Sequence, residues 1–147
     1  MEIAILGLGC FWGPEIKFSK LDGVVKTEVG YCGGNSSETT YKDVCTGITN
    51  HAEVVKLDFD PKIISYEKIL KYFFEIHDPT TLNSQGPDFG TQYRSEIFYF
   101  NDQQKEISKK IIKEENIKFS GKVVTKNSLV KNYCPAEEYH QKYLEKR

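Results

Sequence analysis

The chain has 147 residues, of which 39% are hydrophobic, and its formal net charge at pH 7 is −1. This length suits one domain with a sizeable core and is too short for two, so residues 1–147 are expected to form a single domain. The near-neutral charge, with lysine and glutamate mixed along the sequence, argues against a nucleic-acid-binding protein. No apolar run reaches membrane-spanning length and no signal peptide is recognisable, so a cytoplasmic protein without a membrane partner is expected.

Strands and helices alternate in the predicted order of elements. The first half predicts a strand at 2–8, a helix at 11–21, strands at 24–32 and 51–60, and a helix from the N-cap Ser65 to Ile76. The second half predicts a strand at 94–100, a helix at 102–117 and a short strand at 123–126. Between the halves, residues 78–93 lack any periodicity, and a loop of that length is usually functional or disordered.

This alternation predicts an α+β fold. We expect a two-layer sandwich, ferredoxin-like, in which a mixed sheet carries the helices on one face. An open, doubly wound α/β fold is the alternative. The chain has no Rossmann glycine fingerprint, which weakens that alternative.

The string Gly9-Cys10-Phe11-Trp12-Gly13 places a cysteine where the first predicted strand gives way to the first predicted helix. Unpaired N–H groups and the helix dipole at such a junction stabilise a thiolate. The flanking glycines allow a tight turn that leaves the sulfur uncovered. A lone cysteine is more often a packing residue, but the two adjacent aromatic side chains indicate a nucleophile beside an apolar pocket.

Glu53 lies in the predicted strand 51–60, where side chains two residues apart share a face. It shares that face with the apolar residues Val55, Leu57 and Phe59. Burial there would raise the pKa of the carboxyl and make it a proton donor near neutral pH. The alternative is that Glu53 lies at the strand end and reaches solvent, and periodicity does not decide between the two.

Polar and aromatic residues are dense at the end of the aperiodic stretch. Asp88 can accept hydrogen bonds, Tyr93 can donate one, and Tyr41 is a further donor earlier in the chain. Taken singly, each tyrosine is more often a half-buried packing residue. Arg94 can pair with Asp88, which would give that carboxylate a structural role instead.

The four cysteines lie at 10, 32, 45 and 134, and none forms a Cys-x-x-Cys pair. The three histidines add no ligand motif, so no metal site is predicted. Without an export signal, these thiols are expected to be reduced, and their irregular spacing suggests redox chemistry rather than a structural framework.

Seven strings together identify a family. They are GCFWG at 9–13, YKDVCTG at 41–47, HAEVV at 51–55, HDPT at 77–80, NSQG at 83–86, DFGTQYRS at 88–95 and AEEYHQ at 136–141. In this order they closely resemble peptide methionine sulfoxide reductase A, over residues 9 to about 143. The resemblance implies reduction of the S epimer of methionine sulfoxide, free or in proteins, without a metal or organic cofactor.

The resemblance also implies roles for single residues. By motif position, Cys10 corresponds to the nucleophile and Glu53 to the acid. Tyr41 and Tyr93 correspond to donors to the sulfoxide oxygen, and Asp88 to a further residue of the pocket. These roles fit the chemistry, because a sulfoxide oxygen is a poor leaving group until it is protonated or strongly hydrogen-bonded.

Phe11 and Trp12 correspond to the walls that hold the methyl group of the substrate. Attack by the thiol releases methionine and leaves a sulfenic acid on the nucleophile. By resemblance, thioredoxin or another thiol reductant closes the cycle, and the protein is expected to be a monomer.

Many members of this family carry a resolving cysteine in a Gly-Tyr-Cys tail, which these 147 residues lack. Cys134 stands where relatives often have an aromatic residue and is the first candidate to resolve Cys10. Cys32, beside a glycine-rich loop, is the second candidate, and Cys45 is interpreted as mainly structural. A cycle in which an external thiol reduces Cys10 directly also stays open.

Two other functions use a reactive cysteine. A thiol peroxidase normally has an arginine and a threonine near its nucleophile, whereas this motif supplies aromatic and acidic residues. A redox-sensing module that binds methionine sulfoxide would show tight binding without turnover.

Overall fold

The structure is a computed structural model that describes residues 1–146. Its strands are β1 (Glu2–Leu8), β2 (Val24–Cys32), β3 (Ala52–Phe59), β4 (Ser84–Gln85), β5 (Asp88–Phe89), β6 (Ser95–Tyr99), β7 (Lys126–Leu129) and β8 (Cys134–Pro135). Its α-helices are α1 (Trp12–Ser19), α2 (Tyr41–Cys45), α3 (Tyr66–Glu75) and α4 (Asp102–Lys118). Single 3₁₀ turns lie at Thr91–Tyr93 and Glu138–His140.

Six strands form one mixed sheet in the order β7-β6-β1-β3-β2-β8. The four central strands are antiparallel and, with α1 and α3, follow the βαββαβ succession of a ferredoxin-like fold. Strand β7 adds to one edge, parallel to β6, and β8 adds to the other edge, antiparallel to β2. The predicted α+β class, with a mixed sheet, is therefore confirmed.

Helices α1, α3 and α4 cover one face of the sheet. Their apolar side chains share one core with the strands, including Phe18, Ile69, Phe73 and Ile111 from the helices and Leu6, Val55 and Leu57 from the sheet. The other face carries a smaller cluster of Ile5, Cys32, Ala52, Val54 and Phe98. Within residues 1–146 no helix has both the length and the apolar character needed to cross a bilayer.

The helix ends follow local sequence rules. Ser65 begins α3 as predicted, because its hydroxyl accepts the Lys68 N–H at 3.1 Å. Asn101 begins α4 in the same way, with its side chain accepting the Gln104 N–H at 2.9 Å. In α1, the cap residue Phe11 makes no such side-chain bond, so backbone N–H groups at that end are left available for the site.

The short strand predicted at 123–126 is wrong in position, because β7 begins only at Lys126. The Val123 N–H donates to Asn116 Oδ1 at 3.0 Å and the Val124 N–H to the Pro79 carbonyl at 2.8 Å. These bonds attach residues 123–124 to the end of α4 and to the long loop rather than to the sheet. Helix α2 and strand β8 were not predicted, because five and two residues are too few to produce a periodic pattern.

The aperiodic stretch 78–93 is held by its own hydrogen bonds. Gln85 Oε1 accepts the Asp78 N–H at 3.0 Å, and Gln85 Nε2 donates to Thr81 Oγ1 at 3.3 Å. The Gly90 N–H closes the loop onto the Asn83 carbonyl at 2.9 Å. The loop therefore presents residues 85–93 on a fixed frame beside the end of β1.

Candidate active site

Cys10 lies between the end of β1 and the start of α1, and it is half-buried. The turn depends on Gly9, whose φ of +98° is strained for any other residue, and a Cβ there would lie 2.8 Å from Gln85 Cγ. The long loop thus packs directly against the residue before Cys10. Gly13 has open space around it, so only the first of the two flanking glycines is required by the backbone.

The thiol of Cys10 is not held as a thiolate in the free site. Burial raises its pKa to about 11, the Trp12 N–H that bonds the sulfur offsets only part of this, and Glu53 and Asp88 raise it further. The prediction that the helix start stabilises a thiolate is therefore wrong for the free site. One favourable N–H is outweighed by desolvation and two carboxyl groups.

Glu53 is 1% exposed and lies in β3 opposite Tyr31 of β2. Its Oε1 accepts the Phe11 N–H at 3.4 Å, and its Oε2 is buried without a hydrogen-bond partner. Burial raises the pKa of the carboxyl to about 8. The hydrogen bond from the Phe11 N–H lowers this pKa, and the nearby Asp88 raises it further. The predicted direction of this shift is confirmed and the solvent-reaching alternative is wrong, so Glu53 is mainly protonated at neutral pH.

Tyr41 and Tyr93 bring two phenols to the same place from distant parts of the chain. Tyr41 begins α2, and Tyr93 ends the 3₁₀ turn that precedes β6. Burial raises the pKa of both phenols, Tyr93 to about 12, and the negative form of Glu53 raises both further. Protonated at neutral pH, both are hydrogen-bond donors.

Phe11 and Trp12 form two aromatic walls on the same helix start. Phe11 is 1% exposed, and its ring centroid lies 5.8 Å from Tyr31 and 5.3 Å from His140. Trp12 stacks on Tyr143 with centroids 3.8 Å apart. Its indole N–H donates to His140 Nδ1 at 3.1 Å, so the indole is fixed in orientation as well as in position.

The C-terminal segment 136–143 completes the site and was not predicted to do so. Glu137 Oε1 accepts from the Tyr31 hydroxyl at 2.7 Å, and its Oε2 accepts from the Tyr41 N–H at 2.9 Å. The ring of His140 lies 4.6 Å from that of Tyr41. This segment therefore connects the aromatic walls, the buried Tyr31 and the start of α2.

Gln141 attaches this segment to the sheet. Its Oε1 accepts the Val29 N–H at 2.9 Å and its Nε2 donates to the Val29 carbonyl at 2.8 Å, as a neighbouring strand would. The string at 136–141 was recognised in the sequence, but no role was assigned to Glu137, His140 or Gln141. Side-chain bonds to a backbone about a hundred residues away leave no periodic signal.

The three remaining cysteines lie in different surroundings. Cys32 is buried on the sheet face opposite the helices, where its thiol donates to the Lys131 carbonyl at 3.4 Å. Cys134 lies in β8 opposite Tyr31, with its thiol 3.7 Å from the Thr39 carbonyl. Cys45 ends α2 and is exposed. Within residues 1–146, His, Cys, Asp and Glu side chains form no cluster of three that could hold a metal ion.

Arg94 does not pair with Asp88, contrary to the possibility that the sequence raised. Its Nε donates to Glu96 Oε1 at 2.6 Å, and its other nitrogens donate to the carbonyls of Thr91 and Asn50 at 2.8 and 3.0 Å. Asp88 lies instead in the two-stranded antiparallel sheet of β4 and β5, where it stands opposite Gln85. Its charge acts on the Cys10 thiol and the Glu53 carboxyl.

The chain is similar over nearly its whole length to solved structures, among them methionine sulfoxide reductase A of Corynebacterium diphtheriae, with a TM-score of 0.95 and 36% identity over 99% of this chain and 74% of that one. It matches Mxr1 from Saccharomyces cerevisiae in reduced form with a TM-score of 0.95 and 43% identity, over 99% of this chain and 85% of that one. It matches Mxr1 in complex with Trx2 with a TM-score of 0.69 and 29% identity, over 97% and 84% of the two chains.

The sequence comparisons define the family. The family model described as peptide methionine sulfoxide reductase matches residues 2–147, and the chain belongs to that family. It is 82% identical over 147 residues, all of both chains, to the peptide methionine sulfoxide reductase MsrA of Pelagibacter ubique (strain HTCC1062). The resemblance stated from the seven strings is therefore confirmed.

Proposed function

We propose that the chain reduces the S epimer of methionine sulfoxide, free or in peptides and proteins, through a sulfenic acid on Cys10. The observation that carries the proposal is the state of Glu53. A carboxyl that is buried, protonated at neutral pH and without a hydrogen-bond partner at one oxygen can act as a general acid toward a bound substrate. It lies within electrostatic reach of the Cys10 thiol.

In the first step, the sulfur of Cys10 attacks the sulfoxide sulfur and a transient S–S bond forms. Glu53 gives its proton to the sulfoxide oxygen and takes up the proton that leaves the thiol. This exchange needs no preformed thiolate, which suits a thiol whose pKa is raised to about 11. The S–O bond of the substrate and the transient S–S bond then break as the hydroxyl passes to the Cys10 sulfur and methionine leaves. Cys10 is oxidised by two electrons to the sulfenic acid, and the sulfoxide is reduced by two.

Tyr41 and Tyr93 bind the sulfoxide oxygen, and Phe11 and Trp12 hold the methyl group. With the oxygen and the methyl group held by different side chains, only one epimer directs its remaining chain outward and its sulfur toward Cys10. Positioned donors of this kind stabilise charge that develops in the transition state. Selectivity for one epimer follows from this arrangement.

A thiol reductant then returns Cys10 to the thiol, and thioredoxin is the reductant that we propose. One observation supports this half of the cycle. The relative Mxr1 has been solved in complex with Trx2.

The peroxidase alternative gains no support from the positions of the arginines. The chain has two, Arg94 and Arg147, and the second lies outside the described residues. Arg94 is fully engaged with Glu96 and two backbone carbonyls. No guanidinium in the described part of the chain is left to activate a peroxide at Cys10.

The test follows methionine formation from the separated S and R epimers with dithiothreitol as reductant. Wild-type protein is expected to convert the S epimer alone, and Cys10→Ser to convert neither. Cys32→Ser is the matched control, because it removes a buried thiol on the far side of the sheet. Conversion of the R epimer, or turnover by Cys10→Ser, would contradict the proposal, and turnover of neither epimer by wild type would redirect the search to peroxide.

A further inference from the structure

We propose that Glu137 is a positioning residue of the reaction, which holds the Tyr41 phenol at the sulfoxide oxygen. The inference rests on the proposed function, because that function makes the phenol a hydrogen-bond donor to the substrate. In this role Glu137 contacts neither the substrate nor the Cys10 sulfur. Its effect on the rate is exerted through Tyr41.

Both carboxylate oxygens of Glu137 accept hydrogen bonds, each from a different element. Oε1 accepts from the Tyr31 hydroxyl at 2.7 Å, and Oε2 accepts from the Tyr41 N–H at 2.9 Å. Burial by itself would raise the pKa of this carboxyl, but the bonds from the Tyr41 N–H and the Tyr31 hydroxyl lead the contributions that hold it below its usual value. Glu137 is therefore a carboxylate at neutral pH, whereas Glu53 is mainly protonated.

The bond to Tyr31 attaches Glu137 to the strand next to the proposed acid. Tyr31 of β2 stands directly opposite Glu53 of β3, so the two side chains lie on the same face of the sheet with Cβ atoms about 5 Å apart. The Tyr31 side chain is fully buried, and close packing leaves such a ring little freedom to move. The Tyr31 hydroxyl is thus a fixed point for the Glu137 carboxylate.

The bond to Tyr41 fixes the start of helix α2. The first N–H groups of a helix have no acceptor within the helix itself. In α2 the Asp43 N–H donates to the Thr40 hydroxyl at 3.2 Å, and the Tyr41 N–H donates to Glu137. Because a helix of five residues is not stable by itself, the position of Tyr41 depends on this external bond.

The segment that carries Glu137 also contacts the Tyr41 ring. His140 lies three residues after Glu137, and its ring centroid is 4.6 Å from that of Tyr41. The segment is held to the sheet, since the Ala136 N–H donates to the Val29 carbonyl at 3.0 Å. The backbone and the ring of Tyr41 are therefore both positioned relative to strand β2.

A hydrogen bond to the sulfoxide oxygen depends on where the phenol stands, because such bonds weaken steeply outside a narrow range of distance and angle. A Tyr41 whose N–H has lost its acceptor keeps its hydroxyl but not this geometry. If Glu137 acts only through Tyr41, removing the carboxylate costs no more than removing the phenol, which is about tenfold in rate.

The experiment measures the single-turnover rate of methionine formation by reduced protein, at increasing concentrations of the S epimer. Glu137→Ala is expected to lower the saturating rate about tenfold and to keep the half-saturating concentration within about twofold, because the phenol acts mainly in the transition state. Glu137→Gln should recover most of the rate, since its amide oxygen still accepts the Tyr41 N–H. Glu138→Ala is the matched control, because it removes the neighbouring, exposed carboxylate, and it should react like wild type.

A double-mutant cycle tests whether Glu137 acts through Tyr41. Tyr41→Phe removes the phenol, so adding Glu137→Ala to it should change the rate by less than about twofold. In Tyr93→Phe, which keeps the Tyr41 phenol, Glu137→Ala should still cost about tenfold. The fall in rate above about pH 8, where Glu53 loses its proton, should remain in every variant. If Glu137→Ala does not fold, Glu137→Asp takes its place, because its shorter side chain does not span both donors.

An equal loss in the wild-type and Tyr41→Phe backgrounds would overturn the inference, because Glu137 would then act on the fold and not on the phenol. So would a wild-type rate in Glu137→Ala, or a Glu137→Gln variant as slow as Glu137→Ala. If wild type itself forms no methionine, the proposed function is contradicted, and this inference falls with it.

Discussion

Two buried glutamates, one on each face of the sheet, have opposite surroundings. Glu96 is 4% exposed and lies on the face opposite the helices, where Arg94 Nε and the Ser128 hydroxyl both reach it at 2.6 Å. Glu53 is 1% exposed and lies on the helix face, where it receives a single N–H at 3.4 Å. Both carboxyl groups are nearly inaccessible, but only Glu96 has a counter-charge.

The difference separates a structural carboxylate from a chemical one. A buried ion pair with short, charge-assisted hydrogen bonds fixes local geometry, and removing one partner leaves a buried charge. A buried carboxyl without a counter-charge is easier to keep protonated, which lowers stability at high pH but stores a proton. Burial alone therefore does not identify the acid, whereas burial together with an unpartnered oxygen does.

The largest expected effect is on the rate of Glu53→Gln. Because an amide cannot deliver the proton, we expect a rate loss of roughly 10²–10⁴-fold in methionine formation. Wild-type activity should fall above about pH 8, where Glu53 loses its proton, and the variant should lack this limb of the profile. The measurement is the initial rate of S-epimer reduction between about pH 6 and 9.

Glu96→Gln is the matched control for that experiment, because it makes the same change in a buried glutamate on the other face. We expect its rate profile to keep the wild-type shape. A Glu53→Gln variant with an unchanged rate across the whole range would remove the basis for calling Glu53 the acid.

The same pair should differ in the pH dependence of stability. The pKa of Glu53 is raised in the folded protein to about 8 from an unfolded value of 4.5, so the folded state binds more protons between these values. The free energy of unfolding therefore falls as pH rises through this window, by up to about 1.4 kcal/mol per pH unit from this group. Below about pH 4.5 the carboxyl is protonated in both the folded and the unfolded state, so it no longer changes the free energy of unfolding with pH.

Glu53→Gln removes that dependence. Its stability relative to wild type should rise steadily from about pH 5 to 8 and level off above, in urea unfolding at a series of pH values. A difference that stays constant with pH would mean that the carboxyl is not protonated in the folded protein. If the expected rise is observed, Glu53→Gln trades activity for stability, as substitutions at functional sites often do.

Glu96→Gln should lower stability instead. The Arg94 guanidinium would keep its hydrogen bonds to backbone carbonyls but lose its buried counter-charge. We expect this loss to lower the free energy of unfolding by about 2 kcal/mol. Urea unfolding near neutral pH measures this directly. An unchanged midpoint would show that the ion pair contributes only geometry.

The sequence predicts one half of this contrast in part, because periodicity left open whether Glu53 is buried or reaches solvent. Alternation along β3 placed Glu53 on an apolar face, and burial dictated the direction of its pKa shift. The partner of Arg94 was not predictable, because whether it bonds Asp88 or Glu96 depends on where the loop ends and how β6 turns. The succession of elements predicted a ferredoxin-like fold, whereas the short edge strand β7 was predicted three residues too early and the two-residue β8 was not predicted.

The raised pKa of the Cys10 thiol could not be predicted from the sequence, because it depends on residues that are distant in the chain. A strand-to-helix junction supplies one favourable N–H, but the pKa of the thiol is a sum over burial, Glu53 and Asp88. The last two arrive from positions 43 and 78 residues later in the chain. The aromatic walls were predicted as residues, but His140 and Tyr143, which fix the indole, became visible only in three dimensions.

The smallest effect is expected at the phenols, and it completes the contrast between a proton donor and hydrogen-bond donors. Tyr93→Phe removes one of two donors to the sulfoxide oxygen and keeps the ring, so we expect a loss of about tenfold in the rate of methionine formation. Since Tyr41 and Glu53 still act, the pH limb above about pH 8 should remain, unlike in Glu53→Gln. Tyr66→Phe is the matched control, because its hydroxyl is buried against Ser108 far from Cys10. If Tyr93→Phe removed the limb as well, the group that titrates in the profile would be coupled to the phenol, and the proton would have to pass through Tyr93 rather than directly from Glu53.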